Sequence, residues 1–149
     1  MARIRILLVD DHELIRLNIR RLLATQSDFE LIAEGATGLD AIRQAGEHQP
    51  DVILLDISLP ELNGLAALPL IRKVAPKAKV LMVTSHDHAD FARASLSAGA
   101  NGFLNKSDVS AQLAPAIRQV LASSTFLSKS IHLQEKDKPS VPSLDNAEV

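Results

Sequence analysis

The chain lacks several residue types and patterns, and each absence excludes a class of protein. It has no cysteine in 149 residues, which excludes disulfide bonds and thiolate chemistry and is compatible with a reducing compartment. No apolar run approaches membrane-spanning length, and the short N-terminal run is followed by aspartate, unlike a signal peptide. The formal net charge of -2 gives no general attraction to nucleic acid or anionic lipid. We therefore expect a cytoplasmic protein with one core and no membrane partner.

What the sequence does contain is a regular alternation of short apolar runs with segments of helical period. This alternation predicts five βα units around a parallel sheet, which is an α/β fold. The expected strands cover residues 5–9, 30–34, 52–55, 80–84 and 102–105.

The intervening segments have the features of helices that cover a sheet. Thr37 is the predicted N-cap of the second helix, which is expected to end near Gly46. Pro69 and Pro115 lie inside the third and fifth helical patterns, so a kink or a late start is expected in each. The first helix places its apolar side chains on one face, and these are Ile15, Ile19, Leu22 and Leu23.

Three aspartates follow two of the predicted strands. Asp10 and Asp11 come directly after the first strand, and Asp56 comes directly after the third. Because parallel strands end at one edge of a sheet, where α/β folds place ligand sites, the three carboxylates should lie together. At an effective dielectric near 20, two such charges about 4 Å apart repel each other by roughly 4 kcal/mol. The cluster therefore requires a proton or a divalent cation, and Mg²⁺ suits acidic ligands beside a phosphoryl group.

Two further polar residues belong to the same sheet edge. Thr84 ends the fourth apolar run, and Lys106 follows the fifth. These residue types suit phosphoryl transfer to a carboxylate, with Asp56 as the nucleophile and with the hydroxyl and the ammonium group on the phosphoryl oxygens. The set predicts a phosphorylation site.

Four sequence segments carry a family resemblance. They read ILLVDDHELIR at 6–16, DVILLDISLPELNG at 51–64, VLMVTS at 80–85 and GANGFLNK at 99–106. Together they resemble a response-regulator receiver domain over residues from about 4 to 122. The resemblance implies a flavodoxin-like, doubly wound (βα)5 fold with a five-stranded parallel sheet in the order 2-1-3-4-5. It also implies a signalling module, not an enzyme, and we assign the receiver domain to residues 1–122.

The resemblance further assigns roles to individual residues. It implies that Asp56 is the phosphoacceptor and that the donor is a phosphohistidine on a sensor histidine kinase. Thr84 and Lys106 would contact the phosphoryl group, and Thr84 and Phe103 would form the switch. The implied Mg²⁺ ligands are Asp10, Asp11, Asp56 and the backbone carbonyl of Ser58.

Several positions vary from the usual family pattern. Phe103 stands where many receivers have tyrosine, and without a phenol oxygen only packing could distinguish its two switch rotamers. Ser107 follows Lys106 where many receivers have proline, so a trans peptide bond is expected. Ser58 and His86 occupy variable positions that, in the family, border the path of the attacking water and tune the phosphate lifetime.

Other interpretations of these residues exist. Taken alone, Asp11 before His12 is typical of the acidic start of a helix. His12, His86 and His88 invite a zinc site, but the lack of a second ligand pair at a suitable spacing favours surface histidines. A dehalogenase-like phosphatase also uses an aspartate nucleophile, but it needs a second aspartate where this chain has Ser58. A phosphorylation-independent interaction domain on the same fold stays open.

The C-terminal segment is expected to connect the receiver to an output domain. The opening motif and Ser107 are similar to the subfamily in which a LuxR-type helix-turn-helix follows the receiver. We expect residues 123–149 to be a partly disordered linker toward such a domain, which is missing from the chain, so DNA would be bound only through it. Transcription regulation would be the output. The resemblance also implies a phosphorylation-dependent homodimer through the fourth helix, fifth strand and fifth helix, with the first helix facing the kinase.

Overall fold

The computed structural model describes residues 2–86 and 89–128. Strands and helices alternate along the chain as predicted. Within the described residues, no helix combines the length and the apolar character needed to cross a bilayer. The elements are β1 Ile4–Val9, α1 Glu13–Ala24, β2 Phe29–Gly35, α2 Gly38–His48, β3 Val52–Leu55, α3 Gly64–Val74, β4 Lys79–Thr84, α4 Ala89–Ser97, β5 Gly102–Asn105, a one-turn 3-10 helix Lys106–Asp108, α5 Val109–Leu121 and β6 Phe126–Leu127.

The strands form one parallel sheet in the order β2-β1-β3-β4-β5-β6. The predicted order of the first five strands is confirmed, and each of these strands begins and ends within one residue of its predicted position. The five-stranded expectation is corrected by β6, which pairs with β5 through only two residues. Such a short strand has no readable periodicity, and it lies in the segment expected to be linker. The domain boundary at residue 122 stays a prediction.

Apolar residues fill both faces of the sheet because strand side chains alternate between them. On one face α1 and α5 cover a core that includes Ile6, Leu8, Ile19 and Leu113. On the other face α2, α3 and α4 cover a core that includes Leu7, Val9, Ala41, Leu68 and Ala92. The sheet is therefore buried between two helical layers.

Helix α2 begins as predicted but ends later. The Thr37 side chain accepts a hydrogen bond from the backbone N–H of Asp40, which confirms the predicted N-cap. The predicted end near Gly46 is wrong, because the helix continues to His48 and Gln49 takes the left-handed conformation with φ 47°. A Cβ at Gly46 would lie 3.5 Å from the Val74 side chain, an ordinary contact distance, so the packing does not require glycine there.

Both internal prolines are accommodated within continuous helices. Helix α3 begins at Gly64 and α5 at Val109, so the alternative of a late start at Pro69 or Pro115 is wrong. Each proline is exposed, on the solvent side of its helix. The carbonyl that loses its helical donor can therefore bond to water instead, which lowers the cost of the missing N–H.

Candidate functional site

The site begins where two central strands end side by side. Val9 of β1 pairs with Leu55 of β3 in the sheet, so the residues that follow, Asp10 and Asp56, emerge next to each other. The Asp56 N–H donates to the Val9 carbonyl at 3.1 Å, which extends the ladder to the site itself. Asp10 and Asp56 are 1% and 2% exposed. Two carboxylates are thus fixed at the buried centre of the carboxyl edge, as predicted.

Lys106 joins these two carboxylates. Its Nζ lies 2.8 Å from Oδ2 of Asp10 and 2.8 Å from Oδ2 of Asp56, and its side chain is 11% exposed. Burial lowers the pKa of Lys106, but its hydrogen bonds to Asp10 and Asp56 outweigh this effect and raise the pKa above the ordinary value. Lys106 is therefore a charged residue of the site, not a solvated loop lysine. The peptide bond between Lys106 and Ser107 is trans, as expected.

Asp11 and His12 complete a group of four close ligand-type side chains. His12 Nδ1 lies 3.0 Å from Oδ1 of Asp10 and 3.2 Å from Oδ1 of Asp11. One ligand atom from each of Asp10, Asp11, His12 and Asp56 lies within 4.8 Å of the others. His12, not Asp11, occupies the N-cap position of α1, so the simple helix-start interpretation of Asp11 does not hold. The histidine spacing in the sequence predicts a surface residue at His12, and its place in this group was not predicted.

The charge of the group suits a divalent cation. Lys106 offsets one of the three negative charges of Asp10, Asp11 and Asp56, and two remain. Carboxylate oxygens are hard donors, which Mg²⁺ prefers, and Mg²⁺ commonly binds through one or two carboxylates with waters and phosphoryl oxygens. The donor set therefore fits the divalent metal that receiver domains typically use at an acidic pocket.

The two loops beside the acidic group are joined by a hydrogen bond. Thr84 is fully buried at the end of β4, and its Oγ1 accepts a hydrogen bond from the backbone N–H of His86 at 3.2 Å. The backbone N–H of Ser58 donates to Oδ1 of Asp56 at 3.4 Å. The hydroxyl of Ser58 is hydrogen-bonded to Nε2 of His86, which links the loop after β3 to the loop after β4.

Phe103 lies in the core beneath the site. Its side chain is fully buried, in the same apolar cluster as Met82 of β4. In the sheet Phe103 pairs with Met82 on one side and Leu127 on the other. The inward orientation agrees with a core role, and a rotamer change of Phe103 on phosphorylation stays a prediction.

A network of charged residues on α1 and β2 is hydrogen-bonded to the backbone of Asp10. Arg16 donates to the backbone carbonyl of Asp10 at 2.5 Å and lies 3.3 Å from Glu34. Arg20 donates to both carboxylate oxygens of Glu34, at 2.8 and 3.0 Å. The hydrogen bond from Arg20 is the largest cause of the lowered pKa of Glu34. This network was not predicted, and its only signal in the sequence is the i, i+4 spacing of the two arginines.

One glycine permits the loop that holds Asp56. A Cβ at Gly64 would lie 2.0 Å from the backbone carbonyl oxygen of Asp56, which no side chain could tolerate. The Gly64 N–H donates to the carbonyl of Ile57 at 2.8 Å. The start of α3 therefore packs directly against the backbone of Asp56 and fixes its position.

The zinc interpretation receives no support from the described residues. The group of possible metal ligands consists of Asp10, Asp11, His12 and Asp56, in which carboxylates predominate and His86 has no part. The His86 ring instead lies 4.8 Å from the ring of Phe91, measured between centroids. His88 lies outside the described residues.

The fold and this acidic edge define a class of protein. The family described as the response regulator receiver domain matches residues 6–118, and the chain belongs to that family. It is therefore the receiver domain of a two-component response regulator, a signalling module and not an enzyme, whose standard function is phosphorylation-dependent switching.

The chain is also similar to individual response regulators. It is 40% identical over 116 residues to the response regulator protein VraR of Staphylococcus aureus strain Mu3, a match that covers 78% of this chain and 56% of VraR. A solved two-component response regulator of the LuxR family from Aurantimonas sp. SI85-9A1 is 32% identical, with a TM-score of 0.83 and coverage of 99% of this chain and 100% of that one. A DNA-binding response regulator of the LuxR family from Staphylococcus aureus is 27% identical, with a TM-score of 0.73 and coverage of 78% and 98%. The chain spans about half the length of the curated relatives it matches.

Proposed function

We propose that Asp56 is the phosphoacceptor of this receiver and that its phosphorylation sets the signalling state. A carboxylate oxygen of Asp56 attacks the phosphorus of a phosphohistidine. The new P–O bond forms as the P–N bond breaks, and the released imidazole takes up a proton. The product is an acyl phosphate on Asp56.

The observation that carries this proposal is the shared contact of Lys106 with Asp56 and Asp10 at 2.8 Å each. A carboxylate that is 2% exposed at a sheet edge and shares one largely buried cation with a second carboxylate is costly to keep without a function. The raised pKa keeps Lys106 positively charged at neutral pH. Its ammonium group can therefore stabilise the phosphoryl oxygens as their charge develops in the transition state.

The acidic group also supports a magnesium site. We propose that the ligands are carboxylate oxygens of Asp10, Asp11 and Asp56 together with the backbone carbonyl of Ser58. A bound Mg²⁺ would supply charge neutralisation on the phosphoryl oxygens. The residues themselves orient the nucleophile, because Asp56 is fixed by its N–H bond to Val9 and by the start of α3.

The proposed switch uses residues of the neighbouring strands. The hydroxyl of Thr84 would donate to a phosphoryl oxygen while it still accepts the His86 N–H, so a movement of Thr84 would also move the loop at His86. The phosphoryl group carries about 1.5 to 2 negative charges in place of the single charge of the carboxylate, and it brings new acceptor oxygens, which is sufficient to bias such a loop. Phe103 would follow by repacking within the core.

We propose three partners for this receiver on the basis of the family of its relatives: a kinase, an output domain and a second receiver. The phosphoryl donor is a sensor histidine kinase that docks beside α1, in the cytoplasm. The output is DNA binding by a helix-turn-helix domain outside this chain, controlled by phosphorylation-dependent homodimerisation through α4, β5 and α5. The names of the LuxR-family relatives, one of which is called a DNA-binding response regulator, support this output.

A chemical donor tests the proposed phosphoacceptor without the kinase. Incubation with acetyl phosphate and Mg²⁺, followed by intact mass measurement, should give a single phosphate adduct that Asp56→Asn abolishes. The matched control is Asp51→Asn, which changes an exposed aspartate at the start of the same strand and retains an oxygen for its bond to the Arg5 N–H. If the wild-type chain forms no adduct, the phosphorylation-independent interaction domain becomes the better explanation.

A further inference from the structure

The chain after α5 returns to the sheet and closes its last edge. Residues 126–128, which we call the strap, run parallel to β5, with Phe126 opposite Gly102 and Leu127 opposite Phe103. The Phe126 N–H donates to the carbonyl of Asn101 at 3.2 Å, and the Ser128 N–H donates to the carbonyl of Phe103 at 2.9 Å. The strap therefore hydrogen-bonds to the strand that leads to Lys106.

The strap is buried, and β5 is shaped to receive it. Phe126 is 8% exposed and packs in the same core as Val120 of α5, while Ser128 is 1% exposed. A Cβ at Gly102 would lie 3.1 Å from the Phe126 carbonyl oxygen and 2.9 Å from the Leu81 side chain. The glycine thus leaves room for the close approach of the strap.

A side-chain bond connects the strap to the acidic site. The Ser128 hydroxyl is hydrogen-bonded to Oδ2 of Asp108. Asp108 belongs to the one-turn helix Lys106–Asp108, whose first residue holds Asp56 and Asp10. The Asn105 side chain caps this turn by accepting from both the N–H and the hydroxyl of Ser107, at 2.8 Å each. Lys106 and Asp108 are thus the first and last residues of one capped turn, only two positions apart.

We propose that the strap is a latch that is closed while Lys106 is bonded to Asp56 and opens when Asp56 is phosphorylated. This inference rests on the proposed function of Asp56. In the closed state Lys106 is held by two carboxylates, and the turn places Asp108 against Ser128. The acyl phosphate removes one carboxylate partner and attracts the ammonium group to the phosphoryl oxygens. The turn then shifts, and the strap loses its side-chain anchor.

The consequence of opening lies at the β5 edge and in the segment that follows it. An open strap exposes the N–H and carbonyl groups of β5 that it now pairs, and an unpaired strand edge accepts another extended segment. It also releases Ser128, the last described residue, from the sheet. The latch would thus connect the phosphorylation site to the start of the segment that we expect to lead to the output domain.

Hydrogen exchange of the 149-residue chain tests the latch. The amide protons of Phe126 and Ser128 are followed by NMR before and after addition of beryllofluoride with Mg²⁺, a phosphoryl analogue that binds the acceptor aspartate. We expect their exchange to become at least about fivefold faster, which is the effect of losing one hydrogen bond of ~1 kcal/mol. Unchanged or slower exchange in protein whose Asp56 is occupied would overturn the proposal.

Variants separate the latch from general loosening of the fold. Ser128→Ala should accelerate exchange of the Phe126 amide by about fivefold without beryllofluoride, with the acetyl phosphate adduct unaffected. Ser124→Ala, at an exposed serine in the turn before the strap, is the matched control and should leave exchange unchanged. If Ser128→Ala has no more effect than Ser124→Ala, the side-chain anchor plays no part. Asp108→Ala removes the acceptor of the same bond and should accelerate exchange of the Phe126 amide as Ser128→Ala does, and unchanged exchange in both variants would overturn the side-chain anchor.

A Lys106 variant tests the latch independently of whether Asp56 is phosphorylated. Lys106→Met removes the bonds to Asp56 and Asp10 without any phosphoryl group, so it should open the strap even if Asp56 is never phosphorylated. A closed strap in Lys106→Met overturns the latch while leaving the phosphoacceptor role intact. Conversely, a missing acetyl phosphate adduct together with an open strap in Lys106→Met rejects only the role of Asp56.

Discussion

Lys106 and Asp56, fifty residues apart in the chain, are joined by a hydrogen bond of 2.8 Å at the centre of the sheet edge. The same ammonium group lies 2.8 Å from Asp10, so one cation serves two buried carboxylates that belong to different strands. Removal of this cation affects stability, metal dependence and phosphorylation together, and the three effects can be measured separately.

Lys106→Met should destabilise the protein in the absence of divalent metal. Two nearly buried carboxylates would lose their cation, a change that typically costs about 3 kcal/mol or more. Addition of Mg²⁺ should restore part of the loss, since the cation would occupy the same acidic group. Chemical unfolding with and without Mg²⁺ measures both values, and Lys77→Met, at an exposed lysine, is the control. Equal destabilisation by the two substitutions would contradict the electrostatic role of Lys106.

Asp11→Asn should weaken magnesium binding while the fold is retained. Asp11 contributes a negative charge to the group but its side chain is 34% exposed, so its loss removes a ligand without opening the core. We expect at least a tenfold increase in Kd, which corresponds to about 1.4 kcal/mol. The chain has no tryptophan or tyrosine, so calorimetric titration is preferable to fluorescence. Glu13→Gln, an exposed change two residues away, should leave the affinity unaltered.

Loss of the hydrogen bond between Ser58 and His86 should shorten the lifetime of the phosphorylated state. This bond links the two loops beside Asp56, and we expect it to restrict the approach of water to the acyl phosphate. We expect His86→Ala and Ser58→Ala each to accelerate hydrolysis by about fivefold, the effect of one hydrogen bond of ~1 kcal/mol. The double variant should be no faster than either single variant if they break the same interaction. Decay of the adduct, followed by mass measurement, gives the rates, and additive effects would argue against the bond.

Glu34 should stabilise the fold at neutral pH and lose this effect in acid. Its pKa is lowered from the ordinary 4.5, chiefly by the hydrogen bond from Arg20, so the folded state favours the ionised carboxylate more than the unfolded state does. The stabilisation is therefore complete above about pH 4.5 and disappears as the pH falls through the lowered pKa. Glu34→Gln should cost about 1 kcal/mol at pH 7. The difference from wild type should diminish as the pH falls below 4.5, and Glu30→Gln, at an exposed position of the same strand, is the control.

The strands and their convergence could be predicted because they depend on local patterns. β3 and β5 are short apolar runs that end in polar residues, and parallel strands necessarily bring those ends to one edge. The closeness of Asp10, Asp11 and Asp56 follows directly from this geometry. Their chemical roles do not, and the assignment of Asp56 as phosphoacceptor depends on the family resemblance and on the tests above.

Other features could not be predicted, since they depend on contacts between distant segments. The approach of His12 to Asp10 and Asp11 is set by the turn between β1 and α1, which has no periodicity. The pairing of Arg16 with Glu34 requires the relative placement of α1 and β2. The strap at residues 126–128 is too short for any sequence pattern, and it forms only because the β5 edge and the α5 core are already in place.

The strap also has a practical consequence for fusion proteins and truncations. A receiver cut after residue 122 would lose Phe126 from the core and leave the outer edge of β5 uncovered, which invites aggregation through that strand. A cut or a junction placed after Ser128 keeps both the aromatic anchor and the strand pairing. Hybrid regulators that join this receiver to foreign output modules should therefore preserve the sequence through Ser128.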